Sequence, residues 1–327
     1  MVGQTFTDDA RAILLLCAHF GKTEPSGDPL TIREYNVLAE WLLSVDLRPG
    51  DLLSESGREQ LQNGMLNMDL TRLERLLGRG VAMSLDTEKW MNKGIWVVCR
   101  SDPEYPARLR ASLRSQAPPF LYCTGNPALL DAGGLAIVGS RDVQPEGERF
   151  TRRVAERCAQ YDIPVVSGGA RGVDHTAMLT ALEAGGRVVG VLAERLSRAA
   201  VLPTYRKHLR EARLLLCSPY RPDAGFSPGL AMGRNKLVYS LADFALVIQA
   251  DKGKGGTWNG AKEELHRPRP HPVFVRMEDP VLQGNKALCD LGALPFPPSF
   301  FDKHPCDALK ADTMAQVAEP LRPFPDK

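Results

Sequence analysis

The chain has 327 residues, more than one average domain needs. Apolar residues make up 43% and charged residues 24%, which excludes a disordered or collagen-like polymer and fits a globular protein. Lys and Arg number 41 against 39 Asp and Glu, so a polyanion partner would need a local patch and not the whole surface.

Seven cysteines, Cys17, Cys99, Cys123, Cys158, Cys217, Cys289 and Cys306, show no CxxC pair and read as free thiols of a reducing compartment. The opening stretch MVGQTFTDDARAILLL has neither the basic leader nor the small-residue cleavage site of a signal peptide. No apolar run approaches the roughly 18 residues of a membrane span. These features predict a cytoplasmic protein without a membrane partner.

Residues 1–90 predict a small all-helical domain. Ala10, Ile13, Leu14 and Cys17 recur at helical spacing, as do Tyr35, Leu38, Leu42 and Leu43, with the polar turn GKTEPSGDP between them. A third segment carries Leu70, Leu73, Leu76 and Leu77, with Gly78 or Gly80 as its stop.

Across 91–303 the texture changes. Eight short β-rich runs, IWVVC, FLYC, LAIVGS, IPVVSG, RVVGVLA, RLLLCS, FALVIQA and PVFVR, alternate with amphipathic stretches. Most are continuously apolar, as strands covered on both faces should be. The expected fold class is α/β, an extended Rossmann-like doubly wound, mostly parallel sheet. Residues 304–327 read as a short helix and a tail, with no winged-helix domain evident.

In such a sheet, ligands sit beyond the carboxyl ends of the strands, where loops and helix N-termini expose amide donors. Four segments fall there. AIVGSRDV supplies Gly139, Ser140 and Arg141; VVSGGARGVDHTA supplies Ser167, Gly168, Gly169, Ala170 and Arg171, with Asp174 as a helix cap in preference to a catalytic acid. GRNKLVYSLA places Arg234, Asn235 and Lys236 at a helix start, and KGKGGTWNGAKEEL brings Lys252, Lys254, Gly255, Gly256 and Thr257 to a strand-to-helix turn. One such turn is only what the fold requires. Four together, each with Arg or Lys, point to an anion site, and phosphate is the anion that amide nests and guanidinium forks suit.

Catalytic patterns are weak. The six histidines form no HExxH or Cys/His cluster, and neither a Walker loop nor a GxSxG elbow occurs, so no metal, cofactor or catalytic residue is expected. His175 beside Asp174 is not a dyad, because adjacent helical residues point about 100° apart.

The succession GIWVVCRSDPEYPARLR, APPFLYCTGNPALL, LAIVGSRDV, VVSGGARGVDHTAMLTALEAGG, GRNKLVYSLADFALVIQA and GNKALCDLGALPF resembles the core of the DprA/Smf DNA-processing family over roughly residues 75–297. The resemblance implies an extended Rossmann domain that binds single-stranded DNA, forms a homodimer, protects incoming DNA in transformation and hands it to the RecA recombinase. It also implies a DNA-contacting pocket at Gly139, Ser140, Arg141, Ser167, Gly168, Ala170, Arg171, Arg234 and Asn235. Tyr220 or Phe226 would stack a base, and Arg206, Lys207 and Arg210 would form an electrostatic flank.

This chain departs from the family pattern in several places. Ala177 and Met178 stand where relatives read Ala-His, and GKGGTWNGA replaces a Ser-Gly-Ser-Leu loop. VRMEDP replaces Val-Pro-Gly, and AERLSRAAVLPTYRKHL lacks the usual glycine. The alternative reading is a nucleotide site. GGTWNGAKEE is similar to the GGxGTxxE loop of lysine-decarboxylase-like phosphoribohydrolases, with Glu263 or Glu264 as the acid, or the fold could sense a nucleotide in defence without turning it over.

Overall fold

The computed structural model describes residues 5–21, 28–64 and 66–318, so most of the GKTEPSGDP turn and the terminal tail lie outside the described residues. In chain order the elements are α1 (Asp8–Cys17), α2 (Ile32–Ser44), α3 (Glu55–Asn63), α4 (Leu70–Leu77), α5 (Gly80–Met91), β1 (Trp96–Cys99), α6 (Ala107–Leu113), β2 (Phe120–Gly125), β3 (Leu135–Val138), α7 (Pro145–Gln160), β4 (Val165–Ser167) and α8 (Val173–Glu183). There follow β5 (Val188–Val191), α9 (Leu196–Ala199), α10 (Pro203–Arg210), β6 (Leu214–Ser218), α11 (Pro228–Ser240), β7 (Phe244–Val247), α12 (Gly255–Leu265), β8 (Val273–Val275), α13 (Gln283–Asp290), β9 (Leu294–Pro295) and α14 (Pro305–Ala318). The chain divides into two compact units, Met1–Asp131 with Leu192–Leu230, and Ala132–Val191 with Ala231–Lys327. No helix among the described residues is long and apolar enough to cross a membrane.

The first unit begins with capped helices. The Thr7 hydroxyl accepts from the Ala10 amide at the start of α1, and Thr31 and Glu34 close a reciprocal capping box on α2. Tyr35, Leu38 and Leu42 of α2 are buried, whereas Leu43 is 78% exposed. The reason is geometric: neighbours on a helix point about 100° apart, so only one of the Leu42–Leu43 pair can face the core. Helix α4 ends at Gly78 and α5 starts at Gly80. The polar α3, which buries only Gly57 and Leu61, offers almost no apolar stripe to read.

Glu34 also reaches across the helices. It accepts from Arg72 Nη1 at 2.6 Å, and chiefly for that reason its carboxyl lies at about 2, below its ordinary value of 4.5. A depressed folded-state value contributes stability above about pH 4.5 that disappears as pH falls toward 2. In urea titrations, Glu34→Gln should therefore be less stable than the native chain at neutral pH, and the gap should close across that window. A partly exposed pair makes the gap about 1 kcal/mol or less.

Strands β1, β2 and β6 of the same unit pair antiparallel, with Trp96 opposite Cys123 and Tyr122 opposite Ser218. Their continuous apolar runs report burial of both faces and carry no information on strand direction. In the second unit every pairing is parallel, in the order β5-β4-β3-β7-β8-β9. From β3 the chain steps outward through β4 and β5, then resumes on the other side of β3 with β7, β8 and β9. The order reverses between β3 and β7, which makes their carboxyl ends the switch point where doubly wound sheets open a crevice. Strand β9, only two residues long, is too short to leave a sequence pattern.

Candidate functional site

The first turn at the switch point leaves β3 through Gly139, whose missing side chain gives room for Val173: a Cβ there would lie 2.5 Å from Val173 Cγ2. The Ser140 amide donates to the Gln249 carbonyl (3.0 Å), and Ser140 Oγ accepts from the Asp142 amide (3.1 Å). Gln249, two residues past the end of β7, frames the turn with its side chain as well. Its Oε1 accepts from the Gln144 amide (3.1 Å) and its Nε2 donates to the Asp142 carbonyl (3.2 Å). Sequence reading passed over Gln249; its signal is a lone polar residue closing the apolar run FALVIQA.

The second turn follows β4. Ser167 is buried and its hydroxyl donates to the Ile137 carbonyl at 2.6 Å, so that side chain works inside the sheet. Gly172 has φ +84, and a Cβ on it would meet the carbonyl oxygens of Ser140 and Arg141, so the two turns are in contact. Asp174 locks them together. Only 6% exposed, its carboxylate accepts the amides of Ala170 and Gly168 from the second turn and of Gly139 from the first. Burial pushes the Asp174 carboxyl up from its ordinary value, against the pull of Arg234 and these three amides.

Arg234 lies beneath this arrangement, 5% exposed, with Nη1 3.8 Å from Asp174 Oδ2. It is a covered counter-charge and not a rim residue, because a buried carboxylate needs a cation beside it. The next residue on α11, Asn235, turns the other way and donates from Nδ2 to the Gly256 carbonyl at 3.0 Å. Helix α11 thus joins the two glycine turns to the start of α12. There Lys254 is the exposed N-cap in an extended conformation, Gly255 and Gly256 are exposed, Thr257 is half-buried and Trp258 packs inward.

Arg141 and Arg171 stand exposed on the two touching turns, and Arg171 pairs with the equally exposed Asp142. An ion pair so open to water contributes little and exchanges readily for another anion. Gly169, with φ +69, and Ala170 are half-buried at the crest of the second turn. The residues expected on the four glycine-rich or helix-start turns all lie in the second unit, and hydrogen bonds or direct packing link their segments. In the first unit, Phe226 is exposed, Tyr220 is half-buried, and Arg206, Lys207 and Arg210 line a groove with Pro203 and Glu211.

The acids of the nucleotide reading are placed differently. Glu264 is 1% exposed and bound by Arg267 Nη1 (3.2 Å) and His271 Nδ1 (2.8 Å). Its position along α12 sets it about 13 Å from Gly255 at the helix start. Glu263 is solvent-exposed.

The family model for DNA recombination-mediator protein A matches residues 96–297. The chain belongs to that family. Among its relatives, protein Smf of Synechocystis is 30% identical over 239 residues, covering 64% of this chain and 57% of the relative. The putative DNA processing protein DprA of Mycobacterium tuberculosis is 30% identical over 210 residues, covering 58% and 52%. The chain therefore spans little more than half the length of these relatives. Among solved structures, DNA processing protein A of Streptococcus pneumoniae superposes with a TM-score of 0.66 at 22% identity, covering 89% of this chain and 95% of its own. That likeness establishes the recombination-mediator fold for this α/β chain. DNA processing protein A of Helicobacter pylori, described for its single-stranded DNA binding mode, matches with a TM-score of 0.53 at 25% identity, covering 65% and 97%.

Proposed function

We propose that this protein binds single-stranded DNA without reading its sequence, gripping the phosphodiester backbone at the switch point of the second unit. The observation that carries the reading is the pair of touching turns that present Arg141 and Arg171 to solvent above a locked base. The exposed Lys254 and the opening amides of α12 extend the cationic rim, and Asn235 secures them. The relative from Helicobacter pylori is described as a single-strand binder, which supports the same ligand here.

On this reading the protein works in DNA processing, as in uptake and transformation, as a cytoplasmic homodimer that passes the strand to RecA, and its role is binding without turnover. No geometry favours the phosphoribohydrolase alternative, since Glu264 is committed to Arg267 and His271.

Fluorescence anisotropy with an oligothymidylate over a salt series tests the proposal. Each neutralised phosphate on a single strand contributes about 0.7 to the log–log salt slope, so the Arg141→Ala, Arg171→Ala double variant should lose about 1.4. Affinity at low salt should fall by one to two orders of magnitude, as expected for two charge-assisted contacts. A native chain that does not bind, or a double variant with native affinity and slope, would overturn the reading.

A further inference from the structure

Amide groups that converge at glycine-rich turns ordinarily await an external anion. Here three of them already have one. Gly139 donates from the first turn and Gly168 and Ala170 from the second, all to the carboxylate of Asp174. An acid in the first turn of a helix ordinarily serves that helix's own amides. Asp174 instead serves amides upstream of α8, and the N-cap position of α8 is Gly172, which has no side chain to cap it. The backbone has been shaped around this arrangement. A Cβ on Gly168 would coincide with the Arg234 guanidinium and lie 2.5 Å from Asp174 Oδ2, so the ion pair packs directly against the bare backbone.

We propose that Asp174 is the positioning residue of the site, a built-in anion that fills the amide nest and holds both turns and Arg234 in their working arrangement. An incoming ligand is then met at the rim by Arg141 and Arg171, as an internal phosphodiester, and a small phosphate gains no seat in the depth. The inference rests on the single-strand reading for the identity of the ligand; the positioning role stands on the geometry. Two ionised groups, Asp174 and Arg234, face each other inside the nest, and the buried Tyr239 of α11 lies near both.

Replacing the carboxylate tests this with a small anion as the probe. Asp174→Ala leaves Arg234 and three amides facing a void. Its melting temperature should fall by roughly 10 °C, as when one partner of a buried ion pair is removed. Its oligothymidylate affinity should fall at least tenfold. Sodium formate, compared with sodium chloride at equal ionic strength, should restore part of both losses, and inorganic phosphate should raise the melting temperature of the variant and leave the native chain unchanged. Melting identical to the native chain, or a loss that formate and phosphate do not touch, overturns the proposal.

Should Asp174→Ala fail to fold, Asp174→Asn keeps the volume while turning an amide toward Arg234. It should bind oligothymidylate at least fivefold more weakly than the native chain, and native-like binding by this variant would equally overturn the proposal. If the native chain binds no oligonucleotide, the single-strand reading falls by itself. Formate and phosphate rescue of melting then still decides the role of Asp174.

Discussion

Gly168→Ala should destabilise the protein by about 3 kcal/mol and remove most of its single-strand affinity, although it adds one methyl group. The backbone at Gly168 is not in the left-handed region, so the cost is one of space. The added Cβ claims the position of Arg234 Nη1, and the guanidinium cannot swing into water because it is almost wholly buried against Asp174. Moving it separates a buried ion pair, which costs about 3–5 kcal/mol. It also releases the anchor of both turns. Urea denaturation with the oligothymidylate titration measures the two effects together. Gly225→Ala is the control, since a Cβ there has nothing within 4 Å, and it should lie within about 0.5 kcal/mol of the native chain. If both variants unfold at the same midpoint, Arg234 has slack that the packing denies it.

The second large effect is expected in the first unit, at Arg79→Ala. Helix α1 has no basic residue in its last turn, so its terminal carbonyls lack a cation of their own. Arg79, reaching in from the start of α5, supplies one. Its Nε donates to the carbonyls of Leu15 (3.2 Å) and Leu76 (3.3 Å), its Nη2 donates to those of Leu15 and Ala18, and its guanidinium lies 5.0 Å from the centre of the Phe20 ring. Truncation leaves buried carbonyls unmet and a void beneath Phe20, for a loss of about 3–4 kcal/mol. Arg79→Lys should recover less than half, because one ammonium cannot satisfy carbonyls that a forked guanidinium spans. A shift in urea midpoint of less than a third of that predicted for Arg79→Ala would contradict this account.

Burial on both faces made the strands legible. Eight segments from IWVVC to PVFVR announce themselves as apolar runs, and each contains a strand. The direction of β1, β2 and β6 was hidden, because pairing partners far apart in the chain decide it. Leu43 shows the limit of apolar counting, and α3 shows how a helix held by a cap and two buried residues escapes it. At the site, the glycines and arginines stood out by residue type. What residue type could not reveal is which arginine is covered: Arg141 and Arg171 reach solvent while Arg234 is drawn inward by an acid sixty positions away in sequence. The spacing of Gly168 to Asp174, a bare backbone followed by an acid in the first turn of a helix, is the trace of that arrangement in the sequence.

Each compact unit is assembled from two stretches of chain, with 192–230 completing the unit begun by 1–131. Strand β2 takes one neighbour, β1, from the earlier stretch and the other, β6, from the later one. A fragment stopping anywhere before residue 214 would present Tyr122, Cys123 and Thr124 as a raw edge, with unmet peptide groups along an apolar ribbon, a template for self-association. Dissecting this protein by truncation would therefore yield sticky pieces, and a permuted chain that keeps 192–230 joined to 1–131 is the sounder way to isolate either half.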